Sequence, residues 1–116
     1  MLFLSFGEIM ALGMPKSAEE SKTLEQKFRE LCREWKEATV FTSSTTELAM
    51  QPAYQQIIGM GREVLPLLFA ELRSIPDHWF WALKAITGED PVPPLAQGNV
   101  RLMAQAWLDW ADQHGY

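Results

Sequence analysis

The chain of 116 residues has the length of a single domain, and its 47% hydrophobic and 22% charged residues are ordinary for a globular protein. The net charge of −5, from ten basic and fifteen acidic residues, disfavours binding to DNA or RNA, because phosphate recognition needs an excess of Lys and Arg. The single cysteine, Cys32, excludes an internal disulfide and is compatible with a reducing compartment.

Residues 1–16 form an apolar N-terminal extension, which we expect to be poorly ordered. The segment is shorter than the roughly 18–20 apolar residues of a membrane span, and it lacks the positive start of a signal peptide. Met10 and Met14 leave open that residues 1–13 precede the true start. We therefore expect one helical domain over residues 17–116, in a cytoplasmic protein without membrane contact, cofactor or metal.

A capping box followed by an apolar stripe predicts the first helix, over residues 18–38. Ser17 and Glu20 have the spacing at which an N-cap hydroxyl and an N3 carboxylate satisfy backbone amides. The apolar residues that follow have the spacing of one helix face, which would bury Leu24, Phe28, Leu31, Cys32 and Trp35. Residues 39–46 predict a loop, since β-branched and hydroxyl-bearing residues disfavour a helix. In this loop we expect Phe41 to pack inward and the hydroxyls to satisfy helix ends, although they could also face a ligand.

Pro52 suits the first position of a second helix. This helix would end near Gly59, because glycine readily takes the left-handed conformation found after helix C-termini. Just before it, Ser44 or Thr46 is placed to cap a short turn over residues 47–50. The inner face of the second helix would carry Tyr54, Ile57 and Ile58.

Two apolar helices joined by a tight turn are predicted next. The first would run over residues 62–73 and bend near Pro66, because proline lacks the backbone N–H of a helical hydrogen bond. Asp77 is a suitable N-cap for the second, over residues 78–87, and Gly88 would end it.

A proline-stiffened connection over residues 89–98 leads to the last helix. Asn99 would cap this helix and Gly115 would end it. Its buried face would consist of Val100, Met103, Ala104, Trp107, Leu108 and Ala111. Because the apolar period is helical throughout, the sequence predicts an all-α, compact five-helix domain without strands.

The middle of the chain, Ile57–Val92, combines glycine, proline and small residues in a familiar order. Gly59–Gly61 precedes the first helix of this region, Pro66 lies within that helix, and Ala82–Leu83 lies in the second. This pattern resembles a HEAT-like repeat, which implies an antiparallel helix hairpin. A solenoid needs three or more such units, and only one is recognisable, so we expect a compact domain built around one hairpin.

Longer segments carry a second, narrower likeness. PAYQQIIGMG, VLPLLFAEL and PDHWFWALKAITGEDPVP, with AWLDW near the C-terminus, resemble a small uncharacterised family of bacterial helical proteins over about residues 24–116. This resemblance implies a shared compact helical fold and carries no activity with it.

A run of aromatic residues at the start of the fourth predicted helix is the main candidate site. Successive helical residues point about 100° apart, so three aromatic side chains in a row cannot all face one core. Either they fill gaps between neighbouring helices, or at least one is a partly exposed anchor for a partner. With nearby polar residues, the candidate partner-binding set is His78, Trp79, Phe80, Trp81, Glu89, Asp90 and Tyr54.

No catalytic or metal-binding motif is recognisable in the sequence. Asp77 and Asp90 would lie roughly 15–20 Å apart at the ends of one helix, which excludes a joint metal site through that helix. Cys32 has no base in a motif that would activate it as a nucleophile. Gly59–Gly61 lacks the preceding strand and the following Lys-Ser/Thr of a phosphate-binding loop.

Three functions of different classes are compatible with these residues. The leading hypothesis is a non-enzymatic protein–protein interaction domain of a bacterial cytoplasmic protein, whose acidic charge suits a basic partner, as in antitoxin or immunity pairs. The alternative is a small-ligand-binding or catalytic domain with a cleft near Tyr54 and Trp79–Trp81. The third is a homo-oligomer that associates through Trp110 or the N-terminal extension.

Overall fold

The computed structural model describes residues 22–116, so the predictions for the N-terminal extension, Ser17 and Glu20 lie outside the described residues. Within this range the chain is helical and has no strand, which confirms the predicted all-α class. The turn expected before Pro52 is itself a short helix with Ser44 as its N-cap, so this range contains one helix more than predicted. The α-helices are α1 (Leu24–Ala38), α2 (Thr45–Met50), α3 (Pro52–Gly59), α4 (Leu65–Ser74), α5 (Phe80–Thr87) and α6 (Val100–Gln113), and 3-10 helices cover Gly61–Val64 and Pro94–Ala96.

Helix α1 begins at Leu24, later than the predicted residue 18, because a second capping box lies directly before it. The Gln26 backbone N–H donates to the Thr23 hydroxyl at 3.1 Å, and the Gln26 side chain accepts from the Thr23 N–H at 2.9 Å. The apolar stripe is confirmed at its centre, where the buried side chains are Phe28, Cys32 and Trp35.

The helix predicted over residues 62–73 consists of a 3-10 helix followed by an α-helix, and the change comes just before Pro66. Gly61 takes a left-handed φ of 75° and begins a 3-10 helix through Val64. Helix α4 then begins at Leu65. Pro66 therefore lies in the first turn of α4, where a missing N–H leaves no helical hydrogen bond unmade.

Helix α3 contacts both α1 and α5, and α4 packs along α6. The two helices of the predicted hairpin, α4 and α5, thus make their main contacts with other helices rather than with each other. A HEAT-like hairpin stays a prediction from the resemblance. No helix in residues 22–116 is both long and apolar enough to cross a bilayer.

The last helix, α6, starts as predicted, since the Asn99 side chain accepts from the Leu102 N–H at 3.1 Å. The interface role predicted for Trp110 is not supported, because this side chain is buried. Its ring stacks on His114, with centroids 3.9 Å apart, and packs on Phe69 at 6.0 Å. Trp110 therefore belongs to the core between α4 and α6.

Candidate functional site

Four buried aromatic rings from α1, α3 and the start of α5 lie behind the candidate site. We call Phe28, Trp35, Tyr54 and Trp79 the core cluster. The Trp79 ring centroid lies 4.5 Å from that of Trp35 and 5.7 Å from that of Tyr54, with which it stacks. Trp79 is 0% exposed, so it cannot contact a partner directly, although it was in the predicted site.

The hydroxyl of Tyr54 organises the beginning of α5. It donates to the His78 carbonyl at 2.9 Å and accepts from the Ala82 N–H at 3.0 Å. Ala82 is in the first turn of α5, where backbone N–H groups have no partner within the helix. Tyr54 thus performs, from another helix, the role predicted for Asp77, which instead accepts from the adjacent His78 N–H at 2.7 Å. Burial raises the pKa of the Tyr54 hydroxyl well above its ordinary value.

Next to the core cluster, α5, the following connection and α6 enclose a half-open cavity of about 730 Å³, which we call the groove. Trp81 lines the groove and is 44% exposed, whereas the adjacent Phe80 is buried. Trp81 is thus the member of the aromatic run that does not fit inside the core. The other large apolar side chains of the groove are Val92, Val100, Met103 and Trp107.

Three polar side chains of the groove, those of Tyr54, Lys84 and Asp90, are paired within the protein. Lys84 Nζ lies 3.4 Å from Asp90 Oδ2, in a partly exposed ion pair of modest strength. The other Asp90 oxygen accepts from the Val92 N–H at 3.3 Å. The Tyr54 hydroxyl makes the two hydrogen bonds described above. A molecule in the groove would therefore meet mainly apolar surface.

The fold brings most of the predicted site residues to the groove. Those that line it are Tyr54, His78, Phe80, Trp81 and Asp90. Trp79 lies in the core cluster instead. Glu89 is exposed on the connection outside the lining, and its N–H donates to the Thr87 hydroxyl at 3.1 Å.

The connection was part of the predicted surface, through Glu89 and Asp90, but sequence reasoning missed the contribution of α6. Met103 and Trp107 were assigned only to the buried face of the last helix, yet both line the groove. The Trp107 indole N–H is buried and has no hydrogen-bond partner among residues 22–116.

Cys32, the single cysteine, lies in the core rather than in the groove. Cys32 is buried, and this burial raises the pKa of its thiol to about 12, so it is protonated and shielded at neutral pH. Within residues 22–116 no group of three or more His, Cys, Asp or Glu side chains is arranged to hold a metal ion.

A second exposed apolar feature is formed by Val40 and Phe41, shortly before the groove residue Thr45. Phe41 is 100% exposed, so the prediction that it packs inward is wrong. The Thr42 N–H donates to the Thr39 carbonyl at 3.1 Å and closes a turn that points Val40 and Phe41 outward. We call residues 39–42 the apolar turn.

Comparisons with models of protein families, with curated proteins and with solved structures found no match to this chain. The resemblances to a HEAT-like repeat and to a bacterial helical family therefore stay predictions, and the function has to be argued from the groove and the apolar turn.

Proposed function

We propose that this protein is a non-enzymatic interaction domain that binds an apolar segment of a protein partner in the groove. The observation that carries the proposal is Trp81, a large aromatic side chain 44% exposed beside a cavity of about 730 Å³. Partly exposed tryptophans next to pockets dominate the energetics of many protein interfaces, since they bury much area at a low entropy cost.

The chemistry of the groove supports a protein segment over a small substrate. Small-ligand sites fix their ligand with a few free polar groups that converge on it. Here Tyr54 already makes two hydrogen bonds, and Lys84 and Asp90 pair with each other. The one buried side-chain group of the lining without a partner among the described residues is the Trp107 indole N–H. An apolar side chain of a partner could enter the groove without breaking any of these bonds.

A basic partner is part of the proposal. The chain carries a net charge of −5, and Asp90 lines the groove while the neighbouring Glu89 is exposed. Positive charges beside the apolar segment of the partner would raise the association rate and select the correct partner. We place the protein in a bacterial cytoplasm, where the free Cys32 is compatible with a reducing environment, as one half of an antitoxin- or immunity-type pair.

Binding of a small apolar ligand is the second candidate. It is favoured by one observation, that Tyr54, His78 and Asp90 share the groove. The volume of about 730 Å³ lies within the range of known ligand sites. Catalysis by this set is disfavoured, because the Tyr54 hydroxyl already donates to the His78 carbonyl and accepts from the Ala82 N–H.

Capture from a bacterial lysate with a matched pair of variants tests the proposal. Tagged wild type and Leu95→Ala should retain the same co-purifying protein, because Leu95 is exposed outside the groove. Trp81→Ala should lose it, with affinity for the purified partner at least ~10-fold weaker by calorimetry. Circular dichroism would verify that each variant is folded.

Two results would separate the candidates. Equal capture of the same protein by wild type and Trp81→Ala would refute a Trp81-centred protein interface. A small molecule that co-purifies with the wild type and is absent from Trp81→Ala, with no protein bound, would support the ligand-binding alternative.

A further inference from the structure

One hydrogen-bond donor in the lining of the groove has no partner. The Trp107 side chain lines the groove and is 0% exposed, and its indole N–H has no hydrogen-bond partner among the described residues. Most buried N–H groups in proteins are bonded, because an unpaired one gives up the bond that it makes to water in the unfolded chain. The Trp107 N–H therefore calls for an acceptor that residues 22–116 do not supply.

The charges of the groove determine which kind of acceptor fits. Lys84, the one Lys or Arg of the described lining, lies 3.4 Å from Asp90, so its charge is already compensated. A carboxylate or a phosphate in the groove would find no free ammonium group there, and the Asp90 carboxylate would repel it. An uncharged acceptor, such as a carbonyl oxygen, avoids both penalties.

The surroundings of Trp107 determine what should flank that carbonyl. Val92, Val100 and Met103 line the same groove with apolar side chains. An apolar peptide segment combines both features, because each of its residues carries a main-chain carbonyl beside an apolar side chain. A segment bound in extended form would present such carbonyls without internal partners.

We propose that the Trp107 indole N–H is the hydrogen-bond donor of the groove, and that it binds a main-chain carbonyl in the apolar segment of the partner. This inference rests on the proposed function and adds the group that fixes the position of the segment. Trp81 would supply contact area, and Trp107 would supply the directed bond.

Helix α6 allows the carbonyl to approach the buried N–H. Met103 precedes Trp107 by four residues, so the two side chains lie on the same face of the helix. Methionine is flexible and adapts to irregular neighbours. A change in the Met103 side chain could therefore open the indole N–H to an occupant without moving the backbone.

Two probes that differ in one carbonyl test the donor. Acetophenone and ethylbenzene share a ring and a similar shape, and only acetophenone offers an acceptor. In titrations of the isotope-labelled full chain followed by NMR, acetophenone should bind about 5–10-fold more tightly. The indole proton signal of Trp107 should move downfield as the bond forms. The indole signal of Trp79, which is also buried without a partner but lies in the core cluster, should not move.

Matched substitutions assign the effect to the groove. Trp107→Phe keeps an aromatic ring and removes the N–H, so it should abolish the preference for acetophenone. Trp79→Phe makes the same change in the core cluster and should keep the preference. Phe41→Ala should leave both affinities unchanged, and a loss of binding in this variant would place the probes on the apolar turn and contradict the inference. If Trp107→Phe does not fold, the signals of the wild type decide.

A blocked amino acid extends the test to peptides. N-acetyl-leucine N-methylamide carries two main-chain carbonyls beside one apolar side chain. It should compete with acetophenone and move the same Trp107 signal. Competition that leaves this signal in place would mean that its carbonyls do not reach the indole N–H, which overturns the inference.

The outcomes separate this inference from the proposed function. Equal affinities for the two probes, or an unmoved Trp107 signal, overturn the inference, and Trp81-dependent capture of a protein would then leave the proposed function standing. A Trp107-dependent response to the amide, with no Trp81-dependent capture, would support the inference and refute the Trp81-centred interface. Acetophenone bound at Trp107 without competition from the amide would refute a peptide occupant and favour the small-ligand alternative.

Discussion

The core cluster and the groove each take a tryptophan from the start of α5, and these two tryptophans differ in solvent exposure. Trp79 is 0% exposed and Trp81 is 44% exposed, although only Phe80 separates them. Trp79 precedes the first helical residue, and Trp81 lies within the first turn of α5. Since side chains rotate by about 100° per helical residue, the chain can direct one tryptophan into the core and the other towards solvent.

Adjacent aromatic residues can therefore occupy very different environments. The core cluster joins α1, α3 and the start of α5 through ring contacts and the Tyr54 hydrogen bonds, so its members should determine stability. Trp81 gives the groove exposed apolar area, so it should matter for binding and little for stability. Substitutions in the two regions should therefore differ in their effect on the free energy of unfolding.

Trp79→Ala should cause the largest loss of stability. It removes a ring that packs on Trp35 and Tyr54 and leaves a cavity in the core, which costs about 3–5 kcal/mol. Urea unfolding followed by circular dichroism measures the difference in the free energy of unfolding. If Trp79→Ala lowered the free energy of unfolding by less than Trp81→Ala does, the core cluster would not be what holds the helices together.

Tyr54→Phe should destabilise the protein by about 1–3 kcal/mol, because the ring remains while two buried backbone groups lose their partner. The affected groups are the Ala82 N–H and the His78 carbonyl. Tyr116→Phe serves as the control, since the Tyr116 ring keeps its packing on Phe69. Equal unfolding midpoints for the two variants would show that Tyr54 does not support the start of α5.

Cys32 should make stability pH-dependent in alkaline solution. Burial raises the pKa of its thiol from 9.0 to about 12, so the unfolded chain ionises first. The contribution of the protonated Cys32 thiol to the free energy of unfolding is complete below pH 9. It is lost as the pH rises from 9 towards 12. In the folded protein, the ultraviolet absorbance of the Cys32 thiolate should appear only well above pH 9, the ordinary pKa of a thiol. The variant Cys32→Ala serves as the blank. A thiolate signal at pH 9 without unfolding would contradict this burial.

Trp81→Ala should have the smallest effect on stability, below about 1 kcal/mol, because its side chain is already partly in solvent. The same urea titration measures it beside Trp79→Ala. A large loss would indicate that Trp81 is part of the core despite its exposure, and the division between the two regions would fail.

Much of the helical framework was predictable because it depends on neighbouring residues. Asn99 caps α6 and Pro52 begins α3 as expected, and Gly88 ends α5 in a left-handed conformation. Ser44 was one of the two caps considered for α2. Each of these helix starts and ends depends on residues within about one helical turn, so it can be recognised from the sequence alone. The start of α1 was misplaced because two capping boxes compete there, and local spacing alone does not choose between them.

The candidate site was only partly predictable, because it depends on residues distant in the chain. The helical period alone shows that the three aromatic residues at positions 79–81 could not all face one core. Which of them is exposed, Trp81, is set by the packing of distant helices. That choice depends on the Tyr54 hydroxyl, which meets α5 from 28 residues away, and on α6, which places Met103 and Trp107 against the same groove. Such contacts arise from the packing of whole helices, and no local spacing encodes them.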